Sequence, residues 1–324
     1  MSSTAAGKRE LERLGPLAKP FIFVTGKGGS GKTTVSTALA TSLSRLGRRV
    51  LLATSDPKER VSRLLGVHST TSQISVLSPN LWGVNIDPVA ALSEYGDLVL
   101  KVGALRRAVF DNRAVQRFFA AIPGLHQWAV LGKAWFHSTE RVAQGQPRFH
   151  HVILDGPATG HALEMLWVPK IISEVSHAGV LLRDAERAWT MLHDPAHTAL
   201  VLVALSDESS SGEALELSDK LQRQLALRFA AGVVNAVVSP LLTEQECQRL
   251  QGLDLARVST QSRSGAEALL RRALREEDSR TSSERLRQQL PIPWLKLSRL
   301  DEDVGTPAAL KRLVAELNGE GAGD

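Results

Sequence analysis

The 324-residue sequence predicts an α/β fold in which a mostly parallel sheet is flanked by helices and carries an added helical subdomain. Short apolar runs of strand type alternate along the chain with helical stretches, which is the pattern of parallel strands joined by helical crossovers. The first unit, residues 21–54, reads strand, glycine-rich loop, helix and strand. A long helical stretch at about 89–147, broken at Ile122-Pro123-Gly124, interrupts this alternation and predicts the subdomain.

The individual elements follow from the apolar pattern and its breaks. Phe21–Thr25 is a short apolar run that stops at Gly26, and a helical pattern runs from about Thr33 to Leu46. Gly47 stands just after that pattern, where helices commonly end on glycine. The other predicted strands are Arg49–Thr54, Leu81–Ile86, His151–Leu154, Thr198–Leu205 and Gly232–Val238, and a charge-dense helix is predicted at about 262–289.

Composition narrows the class of protein. Hydrophobic residues make up 43% and charged residues 23% of the chain, which excludes a fully disordered protein. The net charge of +5 permits an anionic ligand or membrane surface as partner and does not require nucleic acid, so nucleic-acid binding is not expected. The single cysteine, Cys247, excludes a disulfide framework or a cysteine-rich zinc site within one chain.

We expect one domain over residues 20–318, with flexible tails at 1–19 and 319–324. The N-terminal residues are polar and charged and lack the apolar core of a signal peptide. The longest apolar runs are far shorter than the roughly 20 residues that span a bilayer. The sequence therefore predicts a cytoplasmic protein.

The loop after the first strand carries the clearest motif. Residues 26–33 read GKGGSGKT and match the phosphate-binding pattern G-x-x-x-x-G-K-[ST] in full. Glycines let backbone N–H groups face phosphate oxygens, and the following helix directs its positive end at the same anion. The pattern predicts a P-loop NTPase that binds ATP with Mg²⁺, the alternative being a glycine-rich turn without a ligand. The expected nucleotide contacts are Gly26, Lys27, Gly28, Gly29, Ser30, Gly31, Lys32, Thr33 and Thr34.

Two lysines and one hydroxyl of this loop have expected roles. Lys32 is placed to reach the β- and γ-phosphates, and the Thr33 hydroxyl to bind Mg²⁺. Lys27 is unusual, since an ordinary phosphate loop does not require a lysine directly after its first glycine. It can lie over its own phosphates or reach into the site of another subunit, and the alternative is a solvated surface lysine.

Polar residues also follow the predicted strands, at the sheet edge where ligands of open α/β sheets bind. Asp56 can orient the attacking water or help to hold Mg²⁺, and a turn or cap residue is the alternative. Asp155 can fix Mg²⁺ or its water shell, and the alternative is a helix N-cap. The glycines and proline at 156–160 form a loop that can change shape with the γ-phosphate. Asn235, alone in an apolar strand, needs a partner, which either an adenine edge or backbone can supply.

The loop sequence GKGGSGKTT resembles the deviant phosphate loop (deviant Walker A motif) of the ArsA-type ATPases. That family includes arsenite-stimulated pump ATPases and the ATPase that targets tail-anchored membrane proteins. The resemblance covers about residues 20–318. Three further segments are similar to the family's motifs: Asn85-Ile86-Asp87-Pro88 with Glu94-Tyr95, Ile122-Pro123-Gly124, and Asp155 through Leu163, which resembles the second switch.

The resemblance implies a Mg-dependent ATPase that acts as a nucleotide-switched dimer, with itself or a related paralogue. Such a dimer couples ATP hydrolysis to membrane-protein targeting or to a membrane transport partner. In the implied roles, Lys27 reaches the neighbour's phosphates, Lys32 its own, and Thr33 binds Mg²⁺. Asp56 positions the water, Asp155 supports Mg²⁺ from its second shell, and Asn235 contacts adenine.

The sequence also departs from the family. One cysteine cannot supply the paired cysteines that hold a dimer zinc in the targeting branch, or the three thiolates of the arsenite site, so no structural zinc is expected. The second switch, residues 155–161, reads DGPATGH where the targeting branch has DTAPTGH. Two alternatives stay open: a partitioning-type positioning ATPase that binds a surface or DNA, and an ATP-binding switch without turnover.

Overall fold

The computed structural model of the protein describes residues 14–55, 60–100, 124–176, 179–254, 259–301 and 303–320. Within these residues the strands are β1 Phe21–Gly26, β2 Val50–Thr54, β3 Ser75–Ser78, β4 Leu81–Asn85, β5 His151–Ala158, β6 Thr198–Leu205, β7 Ala231–Val237 and β8 Trp294–Ser298. The α-helices are α1 Lys32–Arg45, α2 Val61–Leu65, α3 Pro88–Leu100, α4 Leu125–Thr139, α5 Thr159–Val175, α6 Val180–His193, α7 Glu208–Leu225, α8 Glu244–Gln251, α9 Thr260–Gln289 and α10 Pro307–Asn318.

The strands form one eight-stranded sheet in the order β3-β4-β2-β5-β1-β6-β7-β8. All neighbouring strands are parallel except β3 and β4, which are antiparallel. The predicted α/β class is confirmed. The prediction did not include β3 and β8, the two edge strands. Both are short and only partly buried, so their sequences lack the continuous apolar run that marks a central strand.

The core lies on both faces of the sheet, because successive strand residues point to opposite faces. In β1, Phe21 and Phe23 pack into the cluster under α4, α5 and α7, whereas Ile22 and Val24 pack into the cluster under α1 and α10. All six residues of β1 are buried. This burial fixes the strand that leads into the glycine-rich loop.

The end of β5 differs from the prediction at a place that matters for the site. The strand predicted at His151–Leu154 continues to Ala158, because it stays paired with β1 through a bulge, and α5 begins directly at Thr159. The helix predicted at about 262–289 is observed as α9. Leu14, within the segment predicted as an N-terminal tail, is fully buried.

The predicted helical stretch contains α3 and α4, and residues 101–123 between them lie outside the described residues. Helix α4 packs on α5 and α6 through a small apolar cluster that includes Trp128 and Val168. At Gly124, which has φ +80°, an added Cβ would lie 2.4 Å from Val168 Cγ2. The approach of α4 to α5 therefore depends on glycine at this position.

Among the described residues, we find no helix with the length and apolar character needed to cross a membrane. The longest of them, α9, has 30 residues and is rich in charged side chains.

Histidine 151 makes the stability of the fold depend on pH. It lies at the start of β5, its Nδ1–H donates to the carbonyl oxygen of Lys19 at 2.9 Å, and its Nε2 is buried without a partner among the described residues. Burial lowers the pKa of His151 to about 4. The unfolded chain takes up this proton near pH 6.5, so the free energy of unfolding falls as pH drops from 6.5 towards 4, by on the order of 3 kcal/mol.

We expect His151→Asn, which keeps a side-chain donor and removes the titration, to weaken this pH dependence. The measurement is urea unfolding at pH 7.5 and pH 5. His68→Asn, at an exposed histidine, serves as the control and should follow the wild type. Equal loss of stability on acidification in His151→Asn and wild type would assign the effect to other groups.

Candidate phosphate-binding site

The glycine-rich loop is held in shape by backbone conformations that favour glycine. Ser30 N–H donates to the Lys27 carbonyl at 3.1 Å, which closes a tight turn. Gly29 has φ +84°, and Gly31, the N-cap of α1, has φ +89°. A residue with a Cβ would be strained at both positions, so the spacing of glycines follows from the path of the loop.

The start of α1 offers free backbone donors. No side chain caps this helix, and the N–H groups of Lys32, Thr33 and Thr34 have no acceptor within the helix because they belong to its first turn. An added Cβ at Gly28 would meet nothing within 4 Å, so the loop beside this helix end is open. Amide donors and the positive end of the helix dipole together suit a phosphate group.

The side chain of Lys32 lies across the loop. Its Nζ donates to the carbonyl oxygens of Gly26 at 3.2 Å and Lys27 at 3.1 Å. Burial lowers the pKa of Lys32, the nearby Asp155 carboxylate opposes this shift, and the positive charge of Arg60 adds to it. Because burial disfavours the charged form of Lys32, an anion that binds beside it stabilises that charge.

The structure brings together Thr33 and Asp155, the two residues predicted to serve Mg²⁺. Thr33 Oγ1 donates to Asp155 Oδ2 at 2.6 Å, and Ser36 Oγ donates to Asp155 Oδ1 at 3.1 Å. Asp155 lies within β5, and the N-cap of α5 is Ala158, so Asp155 does not cap that helix. A hydroxyl and a carboxylate are hard oxygen ligands, so this pair fits Mg²⁺ or its water shell.

The first part of the segment that resembles the second switch, residues 155–158, is extended strand beside β1. Thr25 Oγ1 donates to the Pro157 carbonyl at 2.9 Å. An added Cβ at Gly156 would lie 2.6 Å from the Val24 carbonyl oxygen and 2.8 Å from Phe23 Cζ. The first part of the predicted loop is therefore strand, and its glycine is required because β5 passes close to β1.

Asn235 holds the loop from the neighbouring side. Its Nδ2 donates to the Ser30 carbonyl at 2.9 Å, and an added Cβ at Gly31 would lie 2.2 Å from the same Nδ2. Backbone thus supplies the partner for this amide, one of the two alternatives that the sequence left open. Asn235 thus helps to hold the shape of the phosphate loop, a role that the apolar strand pattern did not predict.

Lys27 contacts α7 of its own chain. Its Nζ donates to Ser209 Oγ at 2.7 Å and lies 2.8 Å from Glu213 Oε1. The Lys27 side chain is 31% exposed. Sequence reasoning missed Glu213 as its partner, because the two residues lie 186 positions apart and share no local pattern. Asp56 lies outside the described residues.

A cavity of about 730 Å³ opens over the loop, a volume typical of small-molecule sites. Its walls come from the phosphate loop, Asp155, α2, α4, α5 and the segment before α10. Three cationic side chains, Lys32, Arg60 and Arg63, outnumber its carboxylates Asp155 and Asp303. Arg60 and Arg63 were not among the predicted site residues, although they follow Asp56 closely in the sequence. The residues present fit a nucleoside triphosphate with Mg²⁺.

Comparison with known proteins gives consistent matches. The sequence profile of the family described as anion-transporting ATPase matches residues 19–180. ATPase BagA of Mycobacterium tuberculosis is 30% identical over 229 residues, which cover 69% of this chain and 67% of that protein. An arsenical pump-driving ATPase of Escherichia coli is 28% identical over 323 residues, covering 88% of this chain and 54% of the pump ATPase. ATPase GET3 of Kluyveromyces lactis is 30% identical over 162 residues, or 48% of this chain and 46% of GET3.

The matched segment 19–180 contains the phosphate loop, Asp56 and Asp155. The matches to the pump-driving ATPase and to GET3 cover about half the length of those relatives. The resemblance inferred from the loop sequence is confirmed. The chain belongs to the ArsA-type family of anion-transporting ATPases and is an ATP hydrolase.

Proposed function

We propose that this ATPase is Mg-dependent and works as a nucleotide-switched dimer that couples ATP hydrolysis to membrane-protein targeting or to a membrane transport partner. One observation carries the proposal. The phosphate loop is hydrogen-bonded through Thr33 to Asp155, and Asp155 lies on the strand that leads directly into α5. A change at the terminal phosphate can therefore reach α5 through Asp155 and the last residues of β5.

In the proposed switch, α5 and α4 are the helices that change position. Val168 of α5 contacts the start of α4 so closely that Gly124 is required there. Residues of α4, among them His126 and Val130, also line the phosphate cavity. The helical subdomain is thus adjacent both to the nucleotide site and to the second switch, which supports a change of its position between nucleotide states.

In the proposed reaction, the loop amides and Lys32 bind the β- and γ-phosphates, and Thr33 with Asp155 would hold Mg²⁺. Bound Mg²⁺ would neutralise charge on the phosphate oxygens. Asp56 orients the attacking water as a hydrogen-bond acceptor. Asn235 keeps the loop in place through its hydrogen bond to the Ser30 carbonyl, and its proposed second role is a contact with adenine.

The coupling partner is proposed from the relatives. Two of the matched proteins are named arsenical pump-driving ATPases of Escherichia coli. In this proposal a separate membrane protein crosses the bilayer, since none of the described helices of this chain is long and apolar enough to do so. The single Cys247 argues against arsenite as a ligand held by three thiolates of this chain.

We expect Lys32→Ala to lower ATP turnover by about 100-fold or more, because the variant loses the cation that lies across the loop. Phosphate release under saturating Mg–ATP measures the effect. Lys220→Ala is the matched control, since Lys220 lies on the exposed face of α7 and pairs with Glu216. Turnover of Lys32→Ala equal to the control would refute the assignment of the phosphate loop.

Asp56→Asn is expected to keep ATP binding and lose hydrolysis, because a neutral amide is a weaker hydrogen-bond acceptor than a carboxylate and holds the attacking water less well. Equilibrium binding of a fluorescent ATP analogue and single-turnover phosphate release separate the two steps. Unaltered phosphate release in Asp56→Asn would move the water-positioning role to another residue.

Release of Lys27 from α7 is expected to favour the dimer. Lys27→Ala should lose nucleotide-dependent dimerisation. Glu213→Gln should shift half-maximal dimerisation to lower nucleotide concentration by up to about fivefold, since a partly exposed ion pair contributes at most about 1 kcal/mol. Sedimentation with Mg and a non-hydrolysable ATP analogue gives the measurement.

Glu216→Gln is the control for Glu213→Gln, because Glu216 lies one turn further along α7 and pairs with Lys220. An oligomeric state that ignores nucleotide in wild type and Lys27→Ala alike would remove the intersubunit role of Lys27.

A further inference from the structure

Strand β7 is irregular at the point where it reaches the phosphate loop. Val234 of β7 is opposite Lys296 of β8. The next matched pair is Val237 with Ser298. Three steps along β7 therefore match two steps along β8, so β7 contains one extra residue, a β-bulge. The bulge directly follows Asn235, whose side chain contacts the loop.

The bulge changes the face of the sheet to which the next side chains belong. Val233 packs into the cluster under α1 and α10, whereas Val234 packs into the cluster under α4, α5 and α7. Strict alternation would place both Asn235 and Val237 on the α1 side. Val237 instead packs against the cluster that contains Val234. The extra residue thus lets β7 present Asn235 to the loop and return Val237 to the opposite face.

Ala236 lies in the bulge with a backbone conformation that is unfavourable for alanine. Its φ is +55°, in the left-handed region where a residue with a Cβ is strained. Within the described strands, Ala236 has no register partner on β6 or β8. A contact outside the two ladders is therefore needed to hold this peptide unit.

The Ser206 side chain supplies that contact. Its Oγ donates to the Ala236 carbonyl oxygen at 3.2 Å, and the residue is 7% exposed. The turn that carries Ser206 is closed by its own hydrogen bonds. Leu205 N–H donates to Ser210 Oγ at 2.9 Å, and Ser210 N–H donates to Asp207 Oδ1 at 2.8 Å. The hydroxyl is therefore presented to β7 from a fixed turn.

We propose that Ser206 is a positioning residue for the phosphate loop. Through the Ala236 carbonyl it holds the bulge, and it thereby keeps Asn235 Nδ2 on the Ser30 carbonyl. This proposal rests on the phosphate site proposed above. Asn235 has little freedom at this contact, since an added Cβ at Gly31 would lie 2.2 Å from its Nδ2. A small displacement of the bulge therefore changes the shape of the loop.

This role affects nucleotide affinity more than the chemical step. Neither Ser206 nor Asn235 is among the described residues that line the cavity over the loop, so both hold the loop from outside it. ADP and ATP each place a β-phosphate in the loop, so the affinity for both depends on its shape. A loosened loop must be ordered when nucleotide binds, and this cost appears in Kd and KM rather than in kcat.

The first test compares Ser206→Ala with the control Ser283→Ala. In both variants a buried serine loses its hydrogen bond to a backbone carbonyl, and Ser283 makes that bond to Ser279 within α9. Binding is measured with Mg–ADP and with Mg and a non-hydrolysable ATP analogue. Phosphate release gives kcat and KM, and thermal unfolding of each variant reports on the fold.

We expect Ser206→Ala to weaken binding of both nucleotides by about fivefold, which is the effect of one lost hydrogen bond. Its KM for ATP should rise by a similar factor while kcat stays within about twofold of wild type. Ser283→Ala should bind both nucleotides as wild type does. A fall in kcat at unchanged KM would contradict a positioning role.

A second comparison tests whether Ser206 acts through Asn235. Asn235→Ala already lacks the contact with the Ser30 carbonyl. Adding Ser206→Ala to this variant should therefore weaken binding by less than about twofold further. A full fivefold loss in the Asn235→Ala background would show that Ser206 acts by another route and would overturn the proposal.

Ala236→Gly separates positioning from a purely structural role. Glycine adopts φ +55° without strain, so the midpoint of thermal unfolding should not fall. The bulge is less constrained with glycine, so binding of both nucleotides should weaken by about threefold or more. Nucleotide affinity equal to wild type in Ser206→Ala or in Ala236→Gly would overturn the role of the bulge in positioning the loop.

The proposal and the site assignment fail in different ways. Wild-type affinity in Ser206→Ala beside lost turnover in Lys32→Ala overturns the role of Ser206 and leaves the phosphate site standing. Wild-type turnover in Lys32→Ala removes the phosphate site itself, and the proposal for Ser206 with it.

Discussion

The hydrogen bond from Thr33 to Asp155 joins helix α1 to strand β5, and the candidate site is built around it. Thr33 belongs to the helix that follows β1, and Asp155 belongs to β5, which pairs with β1 along its length. The bond thus ties the start of α1 to the second switch. In the proposed site, a phosphate with Mg²⁺ would compete for the same hydroxyl and carboxylate, so its binding would act on both elements at once.

Close backbone packing makes this junction sensitive to small movements. Gly156 lies against Val24 and Phe23, and Gly31 lies against Asn235, each within a distance that excludes a Cβ. Packed interiors respond to displacement by moving between discrete arrangements, because they contain few voids in which a strand can shift slightly. In the proposed switch, a change at Asp155 would therefore pass to α5, where Val168 contacts α4 at Gly124.

The sequence was informative wherever the signal is local. The loop with Lys32 and Thr33, the strand β1, and Asp155 at the end of the apolar run 151–154 all follow from motif and periodicity. The structure brings Thr33 and Asp155 together. The sequence did not predict contacts between distant segments, such as Asn235 with Ser30 or Arg63 with Asp303. Edge strand β8 was missed for a related reason, since its half-buried residues gain their strand conformation from pairing with β7.

The contact of Lys27 with α7 imposes a choice on the proposed dimer. If Lys27 reaches a neighbour's phosphates, as proposed, its Nζ would exchange Glu213 for those phosphates. Both partners of the ion pair are partly exposed, at 31% and 40%, so water screens it and its contribution is below about 1 kcal/mol. A triphosphate in a less solvated site attracts the lysine more strongly than one exposed carboxylate does. In the proposed dimer, the contact with α7 would therefore set a small threshold for assembly, which nucleotide in the partner site would overcome.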